Sequence, residues 1–353
     1  MDGPTSPAGD LSDGAQPTVK DVAELAGVSL GTVSRFLNGQ QLKTQNHERV
    51  AEAIRRLNFR RNVAAGGLRS GRSLAIGVLV DDFTSLFVSA VVSAIEERLE
   101  TSGYGVVLSD YHANASRLKE KVLFLQDRNV DGIILFPHAH QEIEEAEQLL
   151  ISSRIPVCLV NDPRFHTPWD TVLTNNYEAT YKAVEYLISM GHRSIAGIVG
   201  NMEYETARLR LQGAQDALRD SGVSFVEDAW PVGNYSTPEA YVHAERLLQR
   251  DPLPTAVFGM SYNMTLGLLM AIYDKQLRIP QDISVISFDD IDLFRAMNPR
   301  ITTLRQPIGD IGKAAADLLG IRLKRRNGDP PIPPTTRVLD SDLIVRDSVS
   351  RVG

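Results

Sequence analysis

The chain has 353 residues, of which 43% are hydrophobic and 23% are charged, which is typical of two or three globular domains with ample core. Its single cysteine, Cys158, excludes an internal disulfide and favours a reducing cytoplasm, and no apolar run approaches the roughly 20 residues that span a bilayer. The net charge of −7 is uneven, because residues 18–72 hold ten Lys and Arg against four Asp and Glu, which predicts a polyanionic partner for this segment alone. Residues 1–17 are rich in Gly, Pro, Ser and Asp, lack the features of a secretory signal, and are predicted to be a disordered lead-in.

Three short helices are predicted over residues 18–61. Thr18 begins a Thr-x-x-Asp capping box that starts the first helix, and Gly27 ends that helix because Gly adopts the left-handed conformation without strain. Ser29 caps a second helix of about ten residues, and Thr44 caps a third. A helix, a four-residue turn, a second helix and a supporting helix form the helix–turn–helix arrangement.

The second helix of such a motif enters the major groove of DNA with its first residues nearest the base edges. Leu30 is expected to contact a thymine methyl there, and Arg35 to donate to guanine O6 and N7. Short polar side chains around them suit phosphate oxygens, which position the protein without reading sequence. The candidate DNA-contacting residues of the helices are Thr18, Ser29, Leu30, Gly31, Thr32, Ser34, Arg35 and Asn38. The alternative is a small interaction domain with a solvated basic face.

The segments VKDVAELAGVSLGTVSRFLNG and RVAEAIRRLNFRRNVAAGGL resemble the headpiece of the LacI (lactose repressor) family of transcriptional regulators. The resemblance continues over roughly residues 18–348. It implies a homodimer that binds double-stranded operator DNA under the control of a small-molecule effector.

A hinge at residues 62–73 is implied by the same resemblance. In the family this segment becomes helical only on operator, where two copies wedge a Leu into a minor-groove step. Leu68 stands at the wedge position, with Asn62 and Ala65 at flanking hinge positions. Gly66-Gly67 departs from the pattern, since each Gly costs roughly 1 kcal/mol relative to Ala in a helix, and a plain flexible linker is the alternative.

From Leu74 onward, short apolar runs such as LAIGVLV, GIILFP, SIAGIVG and ISVISFDD alternate with helical stretches. Strands that are buried on both faces and alternate with helices predict parallel α/β sheets. The resemblance implies a body at residues 74–348 that is similar to the two-lobed periplasmic sugar-binding proteins. It places lobe one at about 74–161 and 291–323, and lobe two at about 162–290 and 324–348.

The ligand cleft is expected at the carboxyl ends of the strands, where Asp81 and Asp289 lie. Arg208 and Arg210 stand near the start of a helix, where a cation does not favour the macrodipole, so an anionic or hydroxylated partner is expected. By resemblance, Arg210 matches the effector-gripping arginine and Asp289 the cleft carboxylate. The candidate effector-binding residues are Phe87, Asn161, Arg210, Tyr235, Ser261, Asp289 and Gln306. The set suits a sugar or sugar derivative, although SYNMTLG departs from the Asn-Asp of many members, and ordinary strand-end polar groups are the alternative.

The predicted function is that of a ligand-responsive, sequence-specific DNA-binding regulator, a repressor that acts in the cytoplasm on operator DNA of the nucleoid. A solute-binding protein of a transporter and an α/β enzyme are the alternatives, since both share the body. No G-x-S-x-G, P-loop or G-x-G-x-x-G follows a strand, and His138 and His140 alone are a weak metal signal. No catalytic residue, metal, cofactor or membrane association is therefore predicted.

Overall fold

The computed structural model describes residues 17–37, 40–59, 72–137, 144–161, 169–325 and 328–352, and the chain divides into two compact units at residue 73. The headpiece consists of α1 (Val19–Ala26), α2 (Leu30–Leu37) and α3 (Thr44–Arg56). Val22, Val33 and Val50, one from each helix, are fully buried in its small core. The predicted three-helix arrangement is confirmed.

The caps explain where the headpiece helices begin and end. The predicted capping box is present, because Thr18 N–H donates to Asp21 Oδ2 at 2.7 Å while the Thr18 hydroxyl accepts from Asp21 N–H. Gly27 ends α1 with a φ of 62°. The expected cap at Thr44 is wrong, because Lys43 occupies the N-cap of α3 without a side-chain hydrogen bond. Asn38 and the hinge residues Asn62, Ala65 and Leu68 lie outside the described residues.

Two parallel sheets form the body, as predicted. The first sheet has the order β10-β5-β4-β3-β1-β2 and is parallel throughout. The second has the order β11-β9-β8-β7-β6, in which only β11 is antiparallel. The strands of the first sheet are β1 (Ala75–Val80), β2 (Gly105–Asp110), β3 (Gly132–Leu135), β4 (Val157–Val160), β5 (Asp170–Thr174) and β10 (Thr336–Leu339). Those of the second are β6 (Ile195–Ile198), β7 (Ala256–Gly259), β8 (Ser284–Phe288), β9 (Thr302–Arg305) and β11 (Asp342–Ile344).

Helices cover the faces of both sheets, because each crossover between parallel strands needs a connecting segment that packs back on the sheet. The helices of the body are α4 (Leu86–Glu100), α5 (Ala115–Asp127), α6 (Glu144–Ser153), α7 (Asn176–Ser189), α8 (Glu205–Asp220), α9 (Thr237–Leu247), α10 (Tyr262–Asp274), α11 (Asp292–Ala296) and α12 (Ile308–Leu323). Within the described ranges, no helix is both long and apolar enough to cross a membrane.

The predicted partition of the lobes differs from the strand pairing. We define lobe one by the first sheet and lobe two by the second. β5 and β10 belong to lobe one, although their residues were expected in lobe two, and β9 belongs to lobe two, although its residues were expected in lobe one. All three strands are short, β5 and β9 are rich in Thr, and β10 is largely exposed, so their sequences carry little of the apolar signal that marked the other strands. The chain therefore crosses between the lobes at residues 174–176, 305–308 and 339–342.

Candidate functional site

A cavity of about 330 Å³ lies between the lobes, at the carboxyl ends of the strands. Residues from both lobes line it, as expected for a cleft in parallel α/β sheets. All seven candidate effector-binding residues are among them: Phe87, Asn161, Arg210, Tyr235, Ser261, Asp289 and Gln306. Sequence analysis missed others, chiefly Tyr204, Thr206, Asn234 and Tyr262.

Arg210 is the buried cation of this cavity. Its Nε donates to Asn176 Oδ1 at 2.7 Å, its Nη1 donates to the Met260 carbonyl at 2.6 Å, and its guanidinium carbon lies 3.4 Å from the centroid of the Phe288 ring. The residue is only 4% exposed. No carboxylate oxygen of the described chain lies within 4.0 Å of its side-chain nitrogens, so the groups in direct contact with the charge are neutral dipoles and a ring face. The arrangement favours a ligand that brings electron-rich oxygens to this guanidinium.

Arg208, the other arginine at this helix start, behaves differently. Its Nε donates to Glu205 Oε2 at 2.8 Å and its Nη1 donates to the Met202 carbonyl at 2.6 Å. The side chain is 41% exposed and does not line the cavity. The anionic partner expected for it is therefore a residue of its own helix.

A chain of hydrogen bonds links Arg210 to Asp289. Asn176 accepts from Arg210 and donates from Nδ2 to Thr174 Oγ1 at 3.1 Å. Thr174 Oγ1 donates to Gln306 Oε1 at 3.2 Å, and Gln306 Nε2 donates to Asp289 Oδ1 at 2.7 Å. Thr174, Asn176 and Gln306 belong to two of the three crossovers between the lobes. Arg210 and Asp289, two of the charged residues that line the cavity, are thus connected through the segments that join the lobes.

Backbone strain is concentrated at the cavity. Five non-glycine residues that line it have φ between 51° and 74°, in the left-handed region that L-residues avoid: Ala113, Asn161, Asn234, Tyr235 and Asp289. Such strain persists where the surrounding structure requires it, and it clusters at binding sites. The cavity is therefore the strongest candidate for a functional site in the body.

Tyr235 depends on a glycine for its place in the cavity wall. A Cβ on Gly200 would lie 2.2 Å from Tyr235 Cζ, so only glycine lets the ring pack against this backbone. The hydroxyl lies 3.4 Å from Thr206 Oγ1, and burial raises the pKa of Tyr235, so the phenol stays protonated. Tyr235 therefore contributes an aromatic ring and a neutral hydroxyl to the cavity wall.

Ser261 and Phe87 line the cavity and also stabilise the fold, Ser261 as a helix cap and Phe87 by packing on the core. Ser261 Oγ accepts from Met264 N–H at 3.2 Å and caps α10, which leaves its hydroxyl hydrogen available to a ligand. Phe87 is half-buried and packs against the core of lobe one. Both contribute to the wall of the cavity while stabilising the fold.

The start of α2 is an exposed surface of the headpiece. Leu30 is 53% exposed, and Ser29, Gly31, Ser34 and Arg35 are exposed beside it. An apolar side chain at such a position, with polar neighbours, suits contact with a base edge rather than with water.

Two residues predicted to face DNA are engaged within the headpiece. Thr32 is only 7% exposed, and its hydroxyl lies 3.0 Å from Ser29 Oγ. Its position two residues after Leu30 turns it toward the core beside Val33, so the structure does not present it to a phosphate. Thr18 is exposed, but its side chain is held by Asp21.

Comparisons with known proteins agree with this description. The family of bacterial regulatory proteins of the lacI type matches residues 18–62, and the periplasmic binding protein-like domain matches residues 184–349. The chain is 31% identical to the HTH-type transcriptional repressor PurR of Vibrio vulnificus over 95% of this chain and 99% of that protein, and 32% identical to PurR of Vibrio atlanticus over 88% and 93%. Among solved structures, it is similar to the lac repressor dimer bound to operator and the anti-inducer ONPF, at 27% identity and a TM-score of 0.82 over 95% of this chain and 100% of that one. It is also similar to a CelR–cellobiose complex, at 28% identity and a TM-score of 0.72 over 94% and 99%.

Proposed function

Because the chain belongs to the LacI family and is a ligand-responsive, DNA-binding transcriptional regulator, we propose that it is a repressor that binds operator DNA as a homodimer and responds to a sugar or sugar derivative. The buried Arg210, which faces the cavity without a carboxylate partner in the described chain, is the observation that carries the effector assignment. The relatives are named as transcriptional repressors, which favours regulation over catalysis as the role of the body.

The DNA half of the proposal rests on the start of α2. Arg35 Nε donates to the Gly31 carbonyl at 3.3 Å, which steadies the side chain along the helix and leaves both Nη groups for guanine O6 and N7. The exposed Leu30 lies five residues earlier, at the start of the same helix, where a thymine methyl would cover it. A two-fold homodimer presents two such helices, so the operator is expected to be pseudo-palindromic.

The effector half rests on the balance of groups in the cavity. A buried guanidinium, the carboxylate of Asp289, the amides of Asn161 and Gln306, and the ring of Tyr235 together offer donors, acceptors and an apolar platform. A polyhydroxylated ring matches this set, because its hydroxyls both donate and accept while its C–H face covers an aromatic ring. The neighbouring structure bound to cellobiose supports the same ligand class.

Effector control requires that the ligand bind one arrangement of the lobes more tightly than another. The crossovers are the segments through which the lobes can change their arrangement, and two of them are bonded to each other, because Asn175 Nδ2 donates to Asp340 Oδ1 at 2.8 Å and Ser341 N–H donates to Asn175 Oδ1 at 2.8 Å. A coupling free energy of about 1–3 kcal/mol would change operator affinity roughly 5- to 150-fold. We propose that the hinge at residues 62–73 passes this change to the headpiece.

The effector assignment is tested with a pair of matched arginine variants. A thermal-shift panel of D-ribose, cellobiose, other common sugars and nucleosides identifies a ligand, because binding to the native state raises its stability. At a ligand concentration near the wild-type Kd, Arg210→Ala should remove nearly all of the shift, whereas Arg208→Ala, on the same helix but outside the cavity, should leave it unchanged. A panel in which no sugar shifts wild type, or in which Arg210→Ala responds fully, would contradict the assignment.

The DNA assignment is tested by selection from random duplexes at a fixed salt concentration, followed by footprinting. The selected sites should be two-fold symmetric, and the affinity should fall steeply as salt rises, because phosphate contacts release counterions. Enrichment of a single asymmetric half-site would argue against a dimer on a pseudo-palindrome.

A further inference from the structure

Two tyrosine hydroxyls of lobe two reach lobe one across the cavity. Tyr204 Oη donates to Asp81 Oδ2 at 3.0 Å, and Leu86 N–H donates to Tyr262 Oη at 3.0 Å. Tyr204 is the residue before α8, Tyr262 is the first residue of α10, and Asp81 and Leu86 lie just after β1 and at the start of α4. Both bonds join protein groups directly, so they hold the lobes together without a bridging ligand.

Each bond uses a group that would otherwise need a partner. The first N–H groups of a helix have no acceptor within the helix, so Tyr262 supplies one for Leu86, while Ser85 Oγ serves Val88 N–H in the same turn. Burial beside Asp81 raises the pKa of Tyr204, so its phenol remains a donor to the carboxylate. Breaking the lobes apart would therefore cost the Leu86 N–H its acceptor and the partly buried Tyr204 hydroxyl its bond to Asp81.

Both tyrosines also contact residues assigned to the effector. Tyr262 N–H donates to Asp289 Oδ2 at 3.3 Å. The Tyr204 ring meets the Tyr235 ring edge-on, with centroids 5.6 Å apart. A ligand that moves Asp289 or Tyr235 would therefore move a residue that bridges the lobes. Tyr262 is also, with Ser261, one of the two residues at which the sequence departs from the Asn-Asp of many family members.

We infer that Tyr204 and Tyr262 form an interlobe latch, in which two hydroxyls act together to set how readily the cleft opens. The latch positions the lobes, and contact of the effector with Asp289 and Tyr235 changes its strength. The statement that the effector changes the strength of the latch rests on the proposed function, whereas the statement that the two hydroxyls hold the lobes together does not.

Residue-resolved hydrogen–deuterium exchange on the full chain, without added ligand or DNA, tests the latch. Tyr262→Phe should speed exchange of the Leu86 amide roughly fivefold to tenfold, because the amide loses its acceptor while the ring remains. Tyr204→Phe does not touch Leu86, yet it should also speed this exchange several-fold if the two bonds open together. Tyr241→Phe is the matched control, because that hydroxyl donates to Asp274 at 2.8 Å within lobe two.

Wild-type exchange at Leu86 in Tyr204→Phe would overturn the latch, since the two hydroxyls would then be independent local bonds. Asp81→Ala removes the acceptor of the same bond from lobe one and should speed Leu86 exchange in the same direction, so the test does not depend on one variant folding. Urea unfolding confirms that each variant is native. A ligand panel without hits would count against the effector assignment alone, and unchanged exchange beside a positive panel would remove the latch alone.

Discussion

Replacing Asp170 with Asn should lower the free energy of unfolding of the body, because Asp170 joins several segments of lobe one. Asp170 and Arg322 form a bidentate ion pair, in which Arg322 Nε donates to Asp170 Oδ2 at 2.7 Å and Arg322 Nη2 donates to Asp170 Oδ1 at 2.6 Å. Its Oδ1 also accepts from Thr335 N–H at 2.8 Å. One carboxylate thus joins the first residue of β5, helix α12 and the segment that enters β10, and both strands lead into crossovers between the lobes.

The cost follows from the burial of the pair. The Asp170 side chain is 2% exposed and that of Arg322 is 15% exposed, so solvent cannot replace the lost partner. Removing one member of a buried ion pair typically costs about 3–5 kcal/mol, because the other charge stays buried without compensation. Asn keeps an acceptor for Thr335, and Arg322 keeps the Ile332 and Pro333 carbonyls as acceptors, which places the expectation near the lower end, at about 3 kcal/mol.

Urea unfolding followed by tryptophan fluorescence measures this loss. The chain has two tryptophans, Trp169 and Trp230, one in each lobe, so the signal reports the body. The midpoint should fall while the slope of the transition stays constant. Asp347→Asn is the control, because the Arg300–Asp347 pair is 58% and 50% exposed and should change the free energy of unfolding by less than about 1 kcal/mol. Equal losses in the two variants would refute the argument from burial.

Three further expectations concern the binding surfaces. Arg35→Ala should weaken operator binding by about 1–3 kcal/mol and relax preference at one base pair per half-site, measured by titration against single-base operator variants; a uniform loss over all variants would make it a phosphate contact instead. Gly200→Ala should destabilise the body by about 1–3 kcal/mol and lower its affinity for the effector, because the new Cβ would overlap the Tyr235 ring. The control is Gly105→Ala, whose new Cβ would meet nothing within 4 Å and which should leave the free energy of unfolding in urea unchanged. Arg210→Ala should weaken effector affinity in calorimetry by roughly tenfold to a hundredfold, the effect of losing one charge-assisted contact, and an unchanged affinity would remove Arg210 from the site.

Part of this molecule could be predicted because it is encoded locally. The capping box at Thr18, the left-handed Gly27 and the apolar runs of the central strands act over a few residues, and each appears in the structure where it was expected. The seven candidate effector residues followed from resemblance to a family, and the structure places all of them around one cavity.

Other features lack any local signal. Thr32 lies in a helix start typical of DNA contact, yet the packing of the three helices turns it inward. Tyr204 could have been suspected, since it directly precedes the helix that carries Arg210, but nothing in its neighbours indicates the bond to Asp81, 123 positions earlier in the chain.

The sequence by itself determined where the capping box of the first helix, the turn at Gly27 and the buried strands fall and that the body is a parallel α/β structure, because hydrophobic period and cap chemistry act between near neighbours. Only the tertiary structure decided that the Thr-rich strands β5 and β9 join opposite sheets, that Asn176, Thr174 and Gln306 connect Arg210 to Asp289, and that two tyrosines bridge the lobes. These contacts join residues far apart in the chain, and their free energy depends on burial and on exact placement of donors and acceptors, which no single segment contains.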